Sequence, residues 1–530
     1  MTGSFFNPGP YAGYLVSIIP LAITLFLIKY TTHFKIKYKD LSGAEIPAPN
    51  ESHNLNEPGQ RVKLSPKLIF LKVKKITYKN WPYLIQYLIG IAIITILLVL
   101  PASKSRAAWL ATIGAVFFIF IQIWQDELMV NTILFRGKWK FKSGKILSST
   151  LAKILGILII IVLLAGGLFA TYKMKQGSAN GRLLIWKVSS EIIKDKPLLG
   201  HGINAFEAKY MDYQAKYFQA NPESEESFLA DNTKYAFNEL IRIATETGLI
   251  GLILSILLLW FLLFGKPVDI SKQEKIELIA LRTTLMALII FGLFSYPDEI
   301  IPIKLNLIVI VALISNYLVP VKFLSKRNIK LQLPDNTIQK RRTIGIVTKS
   351  LISCALIAGT TYYINCGIRL YKANTNWKIA FTTYQMGAYS ACIENYENAF
   401  PYLQYDGDFL LNYGKALSMA EEHKKAVEVL EYTKNYYPNT VLQTALGDSY
   451  KALGQIKKSE EAYLQASWMI PSKFYPKYLL AKLYDETGQD EKATQVATEL
   501  LSKKVKIEST AIKEIQQEMR AIITRNQNST

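Results

Sequence analysis

Long, unbroken apolar blocks set the pattern of this chain. They fall at 11–28, 81–100, 107–124, 151–171, 248–264, 276–294, 301–319 and 344–364. Each approaches the roughly 20 residues that carry an α-helix across a bilayer. Only helices and closed barrels satisfy their own backbone groups in lipid, and continuous runs of this length mean helices. The pattern therefore predicts a polytopic helical membrane domain of about eight spans. The sixth block is the weakest, because Glu277 and Arg282 fall in its first turns.

Beyond residue 366 the pattern changes. The chain becomes polar and rich in Tyr, Ala, Glu and Lys, and it repeats itself. FLLNYGKALSMAEEHKKAVEVLEYTKNYYP sets out Gly414, Leu417, Ala426, Leu430 and Pro438. ALGDSYKALGQIKKSEEAYLQASWMIP answers with Gly447, Tyr450, Tyr463, Ala466 and Pro471, and a third unit supplies Ala481, Tyr484 and Ala493. The period is about 34 residues, the spacing of tetratricopeptide repeats. An earlier, degenerate unit with Ala380, Tyr396 and Ala399 fits the same frame. Small residues let paired helices approach, and stacked pairs build an α-solenoid with a concave surface for a protein partner. The fold class expected is thus all-α: a membrane domain over 1–366, then a repeat domain over 367–530. The first contains a polar loop at 31–80 and a larger one at 173–247.

Charge orients this scheme. The chain has 530 residues, 50% of them hydrophobic, and a net charge of +21. The basic residues do not form a nucleic-acid surface; they gather in four loops beside the apolar blocks. These loops carry Lys35–Lys79, Arg136–Lys145, Lys266–Lys275 and Lys322–Arg342. All four fall on one side, which the positive-inside rule makes the cytoplasm. Loop 173–247 and the C-terminal domain then face outward, which in a bacterium means an inner-membrane protein with both parts in the periplasm. The opening MTGSFFNPGPYAGYL is turn-rich, has no basic residue and is no signal peptide. It looks like an internal loop, so the expectation is a chain that lacks upstream helices or a partner that supplies them.

The candidate chemistry lies in the outward loop. It contains NGRLLIWKVSSEIIKDKPLLGHGINAFEAKY, a polar span, then DNTKYAFNELIRIATETGLIGL. Arg182 opens it, and Arg106, in PASKSRAAWLA, marks the outer end of the third block. Arginine keeps its charge and presents planar donors that match phosphate oxygens. Trp186 and Tyr210 are apolar platforms for sugars or for packing. Histidines number four and cysteines three. HExxH, P-loop, GxSxG and Cys/His clusters do not occur, so neither a metal nor a nucleotide cofactor is expected. Pairing of Cys366 with Cys392 is left open.

GSFFNPGPYAGYL, SRAAWLA, GRLLIWKVSSEIIKDKPLLGHGINAF and FNELIRIATETGLIGL together resemble the O-antigen ligase and O-antigen polymerase superfamily of membrane glycosyltransferases. The resemblance runs from residue 1 to about 320. It implies transfer of a glycan from an undecaprenyl diphosphate carrier to a lipid A–core, glycan or protein acceptor outside the inner membrane, and a repeat tail is a known arrangement in such proteins. It further implies that Arg106 and Arg182 bind the diphosphate from one outward cavity, that Gly200 and Gly202 form the family's GxG turn around His201, and that Asn238 belongs to the family's His-Asn pair. Here the chain departs, with Phe237 where the ligases have histidine. Phenylalanine cannot accept a proton, which leaves Glu239, or His201, as the base. The alternative is a catalytically inactive envelope scaffold that recruits partners through its repeats.

Overall fold

The computed structural model describes residues 8–27, 87–100, 102–124, 176–318 and 335–529. The block expected at 151–171, the polar loop at 31–80 and most of the basic loops lie outside these residues. Among the described residues the secondary structure is helical, without strands. The chain divides into two compact units, Met1–Ala170 with Trp260–Val321, and Thr171–Leu259 with Lys322–Thr530.

In the first unit, α1 (Pro8–Val16), α2 (Ile19–Leu27), α3 (Tyr87–Leu100) and α4 (Arg106–Trp124) precede the end of a long helix, α7 (Glu239–Phe264), then α8 (Lys272–Gly292) and α9 (Ile301–Leu318). The centre is α8, which packs against α1, α2, α4 and α9. A capping box starts it: Ser271 accepts from Glu274 N–H, and Glu274 accepts from Ser271 N–H, which satisfies two of the orphan donors of the first turn. The charges that weakened this block as a span are both partnered. Arg282 Nε donates to Leu262 O at 3.0 Å, and its Nη2 donates to Gly265 O. It thus closes the carbonyl end of α7, where backbone acceptors have no intrahelical donor. Glu277 accepts from Tyr317 Oη at 2.9 Å.

Two helices among the described residues, α7 and α9, are long and apolar enough to cross a membrane. Their outer faces leave Ile253, Leu254, Leu257, Trp260, Leu305 and Ile308 exposed. Apolar faces of this extent fit lipid better than water.

In the second unit, α5 (Gln176–Asp195) and α6 (Ala205–Ala220) form a hairpin within the loop at 173–247, followed by the first part of α7. Leu184, Val188, Ile192, Phe206, Tyr210, Met211 and Phe218 fill its core; Tyr210 is buried there, so packing claims it. The C-terminal helices come in pairs. They are α10 (Asp335–Gln385) with α11 (Tyr389–Leu403), α12 (Gly407–Met419) with α13 (His423–Thr433), α14 (Thr440–Ala452) with α15 (Ile456–Met469), and α16 (Tyr475–Glu486) with α17 (Asp490–Ser502). A final helix, α18 (Thr510–Ser529), follows. Each helix packs on the next, and alternate helices also touch. Ala373, Ala380, Ala399, Ala426, Ala462, Ala481 and Ala493 are buried where helices cross. The cysteines are free: Cys354 and Cys366 are exposed and Cys392 is buried, so the Cys366–Cys392 pair is not formed.

Candidate functional site

The site region is built around a break in α7. Gly248 interrupts the helix with φ 68° and ψ −170°. This leaves the carbonyls of Thr245 and Glu246 and the amides of Leu249 and Ile250 without helical partners, and a buried backbone group needs one. The PLLGHG turn supplies all four. His201 N–H donates to Thr245 O (3.0 Å) and Gly202 N–H to Glu246 O (2.9 Å). On the far side, Leu249 N–H donates to Pro197 O (2.8 Å) and Ile250 N–H to Leu198 O (3.3 Å). The approach excludes side chains. A Cβ on Gly248 would lie 2.2 Å from Leu198 O, and one on Gly200 would lie 2.5 Å from Glu246 O. The glycine-flanked turn is therefore a staple on the helix break.

His201 sits inside this staple. Its side chain is 5% exposed, with Nε2 3.8 Å from Asp195 Oδ2 and 3.0 Å from Ile192 O. A carbonyl only accepts, so Nε2 carries the proton.

The second feature is the turn that starts α7. Arg182 and Trp186 stand four residues apart on α5 and so share a face. Both reach this turn. Trp186 Nε1 donates to Ala236 O at 3.1 Å. The Arg182 guanidinium lies over the Phe237 ring, 5.3 Å from its centroid, a cation–π arrangement. Phe237 itself has φ 51°, a left-handed conformation that a bulky residue holds only under constraint. Asn238 then caps the helix, its Oδ1 accepting from Leu240 N–H (2.9 Å) and Ile241 N–H (3.3 Å).

Glu239 follows the cap and is already partnered. Arg242 Nε donates to Glu239 Oε2 at 2.7 Å, and Arg242 Nη1 donates to Glu246 Oε2 at 2.9 Å. The side chains of Glu239 and Arg242 are 17% and 18% exposed, and that of Glu246 is 6% exposed. Arg242 is the residue that reading the sequence for candidate chemistry missed. Its signal was present in ELIRIATE, where carboxylates three residues before and four after an arginine share one helix face.

The structure thus brings Arg182, Trp186, Phe237, Asn238, Glu239 and Arg242 to one turn, and Gly200, His201 and Gly202 to the break one helical segment further along α7. Arg106 belongs to the other unit. It is the first residue of α4, half-buried, after a turn in which Ser103 Oγ donates to Leu100 O and Trp109 Nε1 donates to the same carbonyl at 3.2 Å.

A family model described as O-antigen ligase matches residues 91–256. The matched stretch runs from α3 to the apolar part of α7 and encloses Arg106, Arg182, the glycine-flanked turn and the Phe237–Glu239 cap. The similarity supports an O-antigen ligase-like function in general, and it fits the membrane character of the apolar helices. No curated protein matches the chain.

Proposed function

We propose that the protein is a metal-independent membrane glycosyltransferase of the O-antigen ligase type. It moves a glycan from an undecaprenyl diphosphate carrier to an acceptor hydroxyl on lipid A–core, a glycan or a protein, on the periplasmic side of the inner membrane. The observation that carries this reading is the ligase match across residues 91–256, which contains the Arg182–Phe237–Asn238–Glu239 turn.

The acceptor oxygen attacks the anomeric carbon, a C–O bond forms, and the bond from that carbon to the diphosphate oxygen breaks. Undecaprenyl diphosphate leaves with the electron pair. Arg182 binds and neutralises the departing diphosphate, and Arg106 takes the same role by its match to the family. Preset cations of this kind contribute on the order of 100-fold to 1,000-fold to turnover. The acceptor's proton passes to Glu239, the only carboxylate in the cap, where Phe237 stands in place of the family's histidine. Arg242 orients that carboxylate. Gly200, His201 and Gly202 hold the helix break in shape, and Asn238 and Trp186 fix the turn.

The scaffold reading keeps one observation in its favour: Phe237 stands where a histidine base is expected, and Glu239 is engaged with Arg242. Deleting the gene and running surface glycans on a gel separates the two. Loss of long-chain lipopolysaccharide or of glycoprotein bands, unrestored by Arg182→Ala, supports the transferase. An unchanged pattern supports a scaffold whose C-terminal pairs, read as tetratricopeptide-like repeats, recruit partners.

A further inference from the structure

Residues 230–238 form neither helix nor strand. Such a strap has no ladder of its own, so side chains must fix its path. It is pinned on two sides in turn. Ala230 and Ala236 are buried in the core of the α5–α6 hairpin, and Thr233 is buried with its N–H against Met211 Sδ at 3.4 Å. The residues between them reach the C-terminal array instead. Thr440 N–H donates to Asn232 Oδ1 at 3.2 Å, and Asn232 Nδ2 donates to Thr440 Oγ1 at 3.1 Å. Lys234 pairs with Asp408 at 2.8 Å and with Glu207 at 3.1 Å, and lies 5.2 Å from the centroid of Tyr437.

The contact continues along the array. Gln214, buried on α6, donates to both Met469 O (2.6 Å) and Asp231 O (3.2 Å), tying strap, hairpin and array together. Gln465 donates to Asp212 at 3.3 Å. Met469 and Ile470 enter the same core as Phe206 and Tyr210. Successive helix pairs thus bind one continuous surface of the loop. Two residues, Tyr235 and Ala236, separate Lys234 from Phe237, at most about 10 Å of extended chain. A strap released at Asn232 and Lys234 leaves Phe237 held on that side through Ala236, whose carbonyl accepts from Trp186.

We propose that the C-terminal array is an intramolecular clamp, in which Asp408 and Thr440 grip Lys234 and Asn232 and thereby position the Arg182–Phe237–Asn238–Glu239 turn. The transfer role of that turn rests on the function proposed above; the clamp itself does not. Asn232 and Lys234 are positioning residues that act through the strap.

Hydrogen–deuterium exchange on the full chain in detergent tests it, alongside glycan transfer in cells. Lys234→Asp opposes Asp408 and Glu207, and Thr440→Val removes a hydroxyl at constant volume. Both should speed exchange at Leu240 and Ile241, the amides held by Asn238, by tenfold or more, and lower transfer by a similar factor. The exchanged pair Lys234→Asp with Asp408→Lys, made together with Glu207→Gln to remove the remaining repulsion, should restore both. Unchanged exchange at Leu240 and Ile241 in both variants overturns the clamp, as does faster exchange that the exchanged pair fails to reverse. If exchange responds and recovers while the native protein transfers no glycan, the clamp stands and the transferase falls. If exchange responds but transfer is unaffected in an active protein, the positioning role falls.

Discussion

Gly248 and Arg182 carry the sharpest expectations for single residues. Gly248→Ala places a methyl against Leu198 O in a left-handed backbone. It should cost about 1–3 kcal/mol, read as a lower melting temperature in detergent, with Gly367→Ala, which lies in regular helix with open space at its Cβ, as the comparison. Arg182→Ala should lower glycan transfer by about 100-fold or more, and Arg182→Lys should recover little, because an ammonium lacks the planar fork. Arg242→Ala removes a shared donor from Glu239 and from buried Glu246. It should cost about 2 kcal/mol, checked by thermal denaturation, and should lower transfer by misplacing Glu239. Arg182, Asn238 and Glu239 were legible as candidates from their residue types and their order along the chain. The geometry of Phe237 was not, since the neighbouring Ala236 carbonyl is held by Trp186, fifty positions before Ala236 in the chain. His201 was read as a possible base; its role in the staple depends on a break in α7 that lies more than forty residues downstream.

At the scale of helices, the array contains a half-buried lysine that makes its stability depend on pH. Lys503 Nζ donates to Lys473 O at 2.9 Å and lies over the Phe474 ring. Burial, with Lys477 adding repulsion, brings its pKa down from 10.5 to about 8. Between about pH 8 and 10.5 the unfolded chain therefore binds more protons at this site than the folded one. Stability rises with pH wherever that holds. Melting of the array should shift upward over this interval, and Lys503→Met should flatten the rise while raising stability at neutral pH. Lys473 is pushed in the same direction by burial, so the slope should shrink rather than vanish. The helices themselves were visible in the sequence, from unbroken apolar length in one half and from a recurring small residue in the other. Partnering across them was not. Arg282 looked like a defect in a span, and only its reach to Leu262 and Gly265 shows why a charge is tolerated there.

Across the whole molecule, the charge pattern predicts sidedness. A phosphatase fused after Thr530 should be active in cells, and one fused within 31–80 should be inactive; the reverse result would invert the topology. The sequence divided the chain at residue 366, where apolar composition gives way to polar. The structure groups Thr171–Leu259 with the C-terminal helices, because Gln214, Asn232 and Lys234 bind partners more than 150 positions away. Contacts of that separation leave no periodic trace. Residue 366 also lies within α10, whose 51 residues extend about 75 Å at the usual rise. Its first part exposes Leu356, Ile357 and Tyr363, while its last turns bury Ala373 and Ala380 in the first helix pair. A recombinant fragment cut at the compositional boundary would keep those alanines but begin on a greasy, frayed stub. Trimming further, past Ala380, would remove half of the first pair and unzip the rest. A C-terminal piece that starts just before Ala373 therefore keeps both alanines and leaves the exposed Ile368, Leu370 and Tyr371 behind.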